Sequence, residues 1–182
     1  MLTEHRQFDW DVDYSEMAAQ YGVTVLRGAE LETDIGHVLV YGVSDELARH
    51  FDFRSVALPH RELFRAARET GGFAVAAHAG RPRIGLAHYV DVHELSPDGI
   101  DVIEQLNGGS SVAENGRALQ LAEEHGLRCV GGSDAHYVSA IGRCLTAFRR
   151  PITSIEALVE ELAAGTYYPM TVEQTLRIDS AR

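Results

Sequence analysis

Short apolar runs alternate with stretches of helical periodicity along this chain, the pattern of β/α units feeding a mostly parallel sheet. Strands are predicted at 23–28 (VTVLRG), 37–43 (HVLVYGV), 73–78 (FAVAAH), 101–106 (DVIEQL) and 128–133 (RCVGGS). The helices between them carry their own end signals. In LPHRELFRAARETGG, Pro59 suits a first helical turn and Gly71 or Gly72 a left-handed cap. In AENGRALQLAEEHG, Leu119 and Ala122 follow Asn115 and Ala118 at helical spacing, and Gly126 stops the run. In TSIEALVEELAAG, Thr153 and Glu156 form a capping-box pattern, while Ile155, Leu158, Val159 and Leu162 make one apolar stripe. HYVDVHE, from His88 to Glu94, reads as loop, and His50, His60 and His125 fall at polar positions of helices. No repeat, low-complexity tract or linker interrupts the pattern, so a single domain over 1–182 is expected.

Composition narrows the function. A formal charge of −11, with no Arg run, argues against an extended nucleic-acid surface, because phosphate backbones are bound by basic patches that release counterions. A small phosphorylated substrate is still compatible, since bound cations offset carboxylates locally. Cys129 and Cys144 have neither disulfide-framework nor zinc-finger spacing. No secretory leader or long apolar span is visible, and a cytoplasmic protein without membrane contact is expected.

In parallel α/β folds the C-terminal strand ends gather on one face, where functional residues lie. Glu30 follows VTVLRGA, His78 ends FAVAAH, Asn107 ends DVIEQLN, and Asp134 and His136 follow RCVGGS. Each alone reads as an ordinary polar residue at a strand end, but the recurrence favours a shared site. His37 opens its own strand and belongs only if that strand crosses the same mouth. In extended backbone Asp134 and His136 point the same way, and Gly131 and Gly132 allow close backbone approach. The alternative is a Ser-Asp turn followed by an exposed histidine. Other motifs fall short. DWDVD has the opening rhythm of a calcium loop, but Tyr14 stands where glycine is required and Gln20 where the bidentate glutamate belongs. NGGSS lacks the end of a P-loop and reads as a turn, and no Gly-x-Ser-x-Gly elbow exists. Metal-assisted hydrolysis is the chemistry left standing.

With these residues in view, the sequence resembles the PHP (polymerase and histidinol phosphatase) family of metal-dependent phosphoesterases. LTEH is similar to its Thr-Asp-His segment, with Glu4 for the aspartate, and GAELETDIGHVLVYG to its Gly-x-Glu and Gly-His elements. AAHAGRP is similar to its Ala-His-Pro segment, with Ala79 for the proline, and GGSDAH to its closing Ser-Asp-Ala-His. The resemblance implies a distorted (β/α)7 TIM-like barrel with two or three divalent metals, zinc, manganese or iron. It implies that Glu30 bridges two metals, that His37 and His78 complete one of them, that Asp134 serves its neighbour, and that His5 and His136 serve a third. Mixed imidazole and carboxylate donors suit those metals, and a bridged pair holds a hydroxide between them that attacks phosphorus. Glu30, Asp134 and His136 are thus the expected catalytic residues. Arg81, Arg83 and Asn107 are candidates to bind substrate, although both arginines could equally be solvated loop residues.

The resemblance begins one strand in: the family's opening His-x-His strand has no counterpart ahead of Leu2. A start assigned too far downstream, a strand supplied by another chain, or a degenerate protein would each account for this. The first is favoured because Met1 falls inside the LTEH motif. The expected function is hydrolysis of a small phosphomonoester or nucleotide phosphate. A catalytically impaired metal-binding or partner-binding remnant and a metallohydrolase of C–N or ester bonds are the rivals. The exposed sheet edge calls for a homo-oligomer or a covering partner.

Overall fold

The computed structural model describes residues 1–174. In chain order the elements are β1 (Leu2–His5), α1 (Ser15–Tyr21), β2 (Arg27–Thr33), β3 (Gly36–Tyr41), α2 (Asp45–His50), α3 (His60–Glu69) and β4 (Phe73–Ala76). They continue with α4 (Leu86–His93), β5 (Val102–Asn107), α5 (Val112–His125), β6 (Arg128–Gly132), β7 (Cys144–Phe148), α6 (Ile155–Ala164) and β8 (Tyr167–Thr171). These form two compact units. One comprises Met1–Ala74 with Arg150–Gly165, the other Val75–Arg149 with the segment from Thr166.

In the first unit β1 runs parallel to β2, with Leu2 opposite Arg27 and His5 opposite Glu30. β2 and β3 form an antiparallel hairpin, with Glu30 opposite Leu39 and Glu32 opposite His37. β2 is buried along most of its length, as expected of a strand covered on both faces, and Leu31, Val38 and Val40 are fully enclosed. α3 starts directly after Pro59, and the Asp34 carboxylate accepts from the His60 N–H at its first turn. Its Leu63, Phe64 and Ala67 are buried. Gly72 has no room for a side chain, because a Cβ there would press on the carbonyl oxygens of Tyr41, Gly42 and Ala67.

In the second unit β4, β5 and β6 are parallel, with Ala76 opposite Ile103 and Asn107 opposite Gly132. β7 and β8 are antiparallel, Cys144 opposite Thr171. α5 is closed by a complete capping box between Ser111 and Glu114 and ends on Gly126 in left-handed backbone. Its Ala118, Leu121 and Ala122 are buried, as are Val75, Val102 and Ile103 of the strands. The architecture is α/β with parallel and antiparallel pairing, and among the described residues no set of strands closes on itself; the closed seven-stranded barrel implied by the resemblance is not formed by these pairings.

Several boundaries differ from the sequence pattern. The strand expected at 23–28 starts at Arg27 and runs on through GAELET, whose two glutamates disguise a buried strand. Residues 88–93, expected as loop, are helical within α4. The cap of α6 is Ser154, whose hydroxyl accepts from the Ala157 N–H, one residue after the expected Thr153.

Candidate functional site

Three side chains of the first unit converge from its three strands. The in-register pairing of His5 with Glu30 sets the end of β1 beside the middle of β2. The pairing of Glu32 with His37 sets His37 one diagonal step from Glu30. His37 Nδ1 lies 2.8 Å from Glu30 Oε1, and His5 Nε2 lies 3.8 Å from Glu30 Oε2. The two imidazole rings stand edge to face, with centroids 6.2 Å apart. One ligand atom from each of the three residues falls within 4.8 Å of the others. Glu30 is only 6% exposed, and a buried carboxylate is tolerated where partners offset the loss of water. Two imidazoles and one carboxylate form the mixed nitrogen and oxygen donor set that suits zinc, manganese or iron, and three protein donors leave coordination positions open for a substrate. The residues fit a divalent cation.

A polar network occupies the second unit at the ends of β4, β5 and β6. Arg81 donates from Nη2 to Asn107 Oδ1 at 2.9 Å and from Nε to Ser110 Oγ at 2.9 Å. The same Nη2 lies 2.8 Å from Asp134 Oδ2. Asn107 is buried and sits at the hub: its Oδ1 also accepts from the Gly109 N–H and the Ser110 hydroxyl, while its Nδ2 donates to Glu104 Oε2 at 2.9 Å. Glu104 Oε2 also accepts from the His78 backbone N–H at 2.8 Å. Burial pushes the Glu104 carboxyl above the ordinary glutamate range, and the hydrogen bonds from His78 and Asn107 act in the opposite direction. His78 is 3% exposed and has φ of 30°, a left-handed backbone that bulky residues seldom adopt. The segment carrying Arg81 is set close against α5, since a Cβ on Gly80 would collide with the Glu114 carbonyl.

The structure therefore sorts the expected site residues. His5, Glu30 and His37 form one cluster, where the resemblance had grouped His5 with His136 instead. His78, Arg81, Asn107 and Asp134 belong to the second unit's network. Glu30 lies within β2, not after a strand, because that strand runs three residues beyond it. Asp134 has φ of 47°, so left-handed backbone replaces the extended conformation expected to align it with His136. His136 is exposed, with Nδ1 3.1 Å from the Asp134 carbonyl oxygen. Arg83 is also exposed at positive φ, and its carbonyl accepts from the Tyr89 hydroxyl. Glu104 and Ser110 were missed. The signal for Glu104 was present as a lone carboxylate inside the apolar strand DVIEQL. Gly132, expected to let the backbone approach a metal site, makes room for Glu104: a Cβ there would collide with Oε1.

Residues 112–167, from α5 through the start of β8, match the family model described as PHP-associated. Over these residues the chain is similar to that family. An 80-residue stretch of the chain is 35% identical to phosphoribosyl 1,2-cyclic phosphate 1,2-diphosphodiesterase of Eggerthella lenta. That match covers 42% of the chain and 28% of the relative, so the chain spans under a third of its length. Among solved structures, PsfC from Pseudomonas syringae PB-5123 aligns with a TM-score of 0.60 and 22% identity, over 88% of this chain and 64% of PsfC. A candidate metal-dependent phosphoesterase from Bifidobacterium adolescentis aligns with a TM-score of 0.52 and 18% identity, over 88% and 84%. The lesion-specific endonuclease Q of Pyrococcus furiosus aligns at 0.56 with 20% identity, over 79% and 40%. At these identities the structural matches speak for the fold. No helix among the described residues is long and apolar enough to cross a membrane.

Proposed function

We propose that this protein is a metal-dependent phosphoesterase acting on a small phosphomonoester or nucleotide phosphate, within one PHP-like domain of the barrel type. The observation that carries this reading is the convergence of His5, Glu30 and His37 within 4.8 Å. These residues would hold a divalent ion, zinc, manganese or iron. When bound, such an ion supplies Lewis acidity at a phosphoryl oxygen and activates water at neutral pH. Glu30, lying between the two imidazoles, would bring the anionic charge that neutralises the ion. Arg81 presents a planar guanidinium suited to phosphoryl oxygens, oriented by Asn107 and Ser110. In that role a phosphate would compete with the Asp134 carboxylate for Nη2. Asp134 and His136 are the candidates for further metal ligation, with His78 of the same unit, giving two or three ions in all. The phosphodiesterase and endonuclease names of the relatives support phosphate-ester chemistry, while the charge of −11 favours a small substrate over a nucleic-acid duplex. The two free cysteines support a cytoplasmic setting, and a second copy or a partner covering the outer edge of β1 belongs to the same reading.

The test is metal analysis paired with turnover. Purified protein supplied with Mn²⁺ should hydrolyse a generic phosphomonoester, and Glu30→Ala should lose both bound metal and activity. Full metal content in the folded Glu30→Ala protein rejects the assignment. Metal binding without turnover on a panel of phosphomonoesters, phosphodiesters, amides and esters favours the rival remnant, and turnover confined to amides or esters favours a metallohydrolase of those bonds.

A further inference from the structure

We propose that Glu104 is a positioning residue that sets Arg81, acting through the side-chain amide of Asn107. The Arg81 guanidinium and the Gly109 N–H can only donate, so the Asn107 group facing them is Oδ1, and Nδ2 is turned to Glu104 Oε2, which accepts from it. That choice leaves Asn107 Oδ1 on the opposite side, where three donors meet it: Arg81 Nη2, the Gly109 N–H and the Ser110 hydroxyl. If the amide were reversed, its NH2 would face all three donors and both ends of the group would lose their bonds. Ser110 Oγ, committed as a donor to Asn107, is in turn the acceptor for Arg81 Nε. Two of the three side-chain acceptors of Arg81 among the described residues therefore depend on how the Asn107 amide is held, and Glu104 anchors its Nδ2 end. Among the described residues, Asp134 is the acceptor that holds Arg81 independently of that orientation.

The rest of the surroundings keep Glu104 in place. Its carboxylate is buried, Oε2 also takes the His78 N–H, and Oε1 fills the space beside Gly132 where any side chain would collide. The backbone of β5 adds a further tie, since the Glu104 carbonyl accepts from the Ala79 N–H in the segment that leads to Arg81. A carboxyl group in the middle of a buried strand is costly to keep, and packing alone gives no reason for it. Holding a polar network in a single orientation does.

This inference rests on the phosphoesterase reading only for what Arg81 serves, and its test reads Arg81 directly. The measurement is proton exchange at the Arg81 Nε–H by NMR on the full chain, followed by titration with inorganic phosphate. Glu104→Leu should speed Nε–H exchange roughly tenfold or more and weaken phosphate binding to a similar extent, while the amides of α5 keep their rates. Gly132→Ala, which displaces the carboxylate without removing it, should act in the same direction and serves if the leucine variant fails to fold. Glu104→Gln, whose carbonyl can accept both bonds, should stay within roughly threefold of the parent. Unchanged Arg81 exchange in a folded leucine or alanine variant overturns the proposal, as does a glutamine variant as impaired as leucine. If exchange responds as stated but the parent protein binds no phosphate, the positioning role stands and the phosphoesterase reading fails.

Discussion

The Glu30 carboxylate and the His37 imidazole meet at 2.8 Å across the β2–β3 hairpin, one diagonal step out of direct register. The contact is set by backbone pairing and not by loop conformation, so the geometry is available before any ion arrives. A site on rigid strands suffers less reorganisation on binding than one on mobile loops.

Replacing His37 with alanine separates the structural and metal-binding parts of that contact. Without metal, losing a hydrogen bond to a buried carboxylate should cost about 1–3 kcal/mol, measured by urea denaturation. With Mn²⁺ or Zn²⁺, the loss of one of three donors should weaken binding by about 10-fold or more, measured by calorimetry. Acidification should weaken binding in the parent protein as well, because both imidazoles must be neutral to coordinate.

Gly80→Ala tests how the Arg81 segment is held. The added methyl would strike the Glu114 carbonyl in the first turn of α5, an obstacle fixed in helical backbone. Overpacking against a rigid group costs roughly 1–3 kcal/mol or displaces the segment. The expected result is a lower thermal midpoint with the His5, Glu30 and His37 cluster still binding metal, checked by differential scanning calorimetry and metal titration.

Ser111→Ala should remove about 1 kcal/mol, because its hydroxyl accepts from the Glu114 N–H at the start of α5 while Glu114 Oε2 accepts in return from the Ser111 N–H. Denaturant unfolding checks the value. A loss below about 0.3 kcal/mol would mean that tertiary packing of Ala118, Leu121 and Ala122 holds this helix without its cap.

What could be read in the sequence followed from periodicity and local chemistry. The stripe Ile155 to Leu162 and the stop at Gly126 fall where the pattern puts them, because amphipathic spacing and a left-handed cap are local properties. The ligand-bearing residues were found because histidines and acids at strand ends stand out against an apolar background. Which of them meet was not legible. His5 joins Glu30 and His37 through strand register, a non-local property that no spacing encodes. β2 was misplaced because Glu30 and Glu32 interrupt its apolar run, and Glu30 is interior for the same reason that it is a ligand candidate: partners offset its burial. Glu104 escaped attention because its partners, His78 and Asn107, come from a neighbouring strand end and the end of its own strand.

Tyr167 offers a test of the second unit that is independent of any ligand. Burial pushes its phenol up to about 12, with Cys129 and Asp101 acting in the same direction and Arg128 against it. Its ring packs against Phe148, 5.7 Å away across the β7–β8 pair. The folded state thus favours the neutral phenol, while the unfolded chain releases the proton near 10. The sign follows from linkage: Tyr167 contributes its full stability below about pH 10, and that contribution is lost as pH rises toward 12. The chain contains no lysine, so ammonium titration does not overlap this window. The absorbance titration of the parent minus that of Tyr167→Phe should show one phenol ionising near 12. Over the same range the stability advantage of the parent over the phenylalanine variant should shrink. A difference step near pH 10 would place the Tyr167 hydroxyl in water and contradict the packing of β8 against β7.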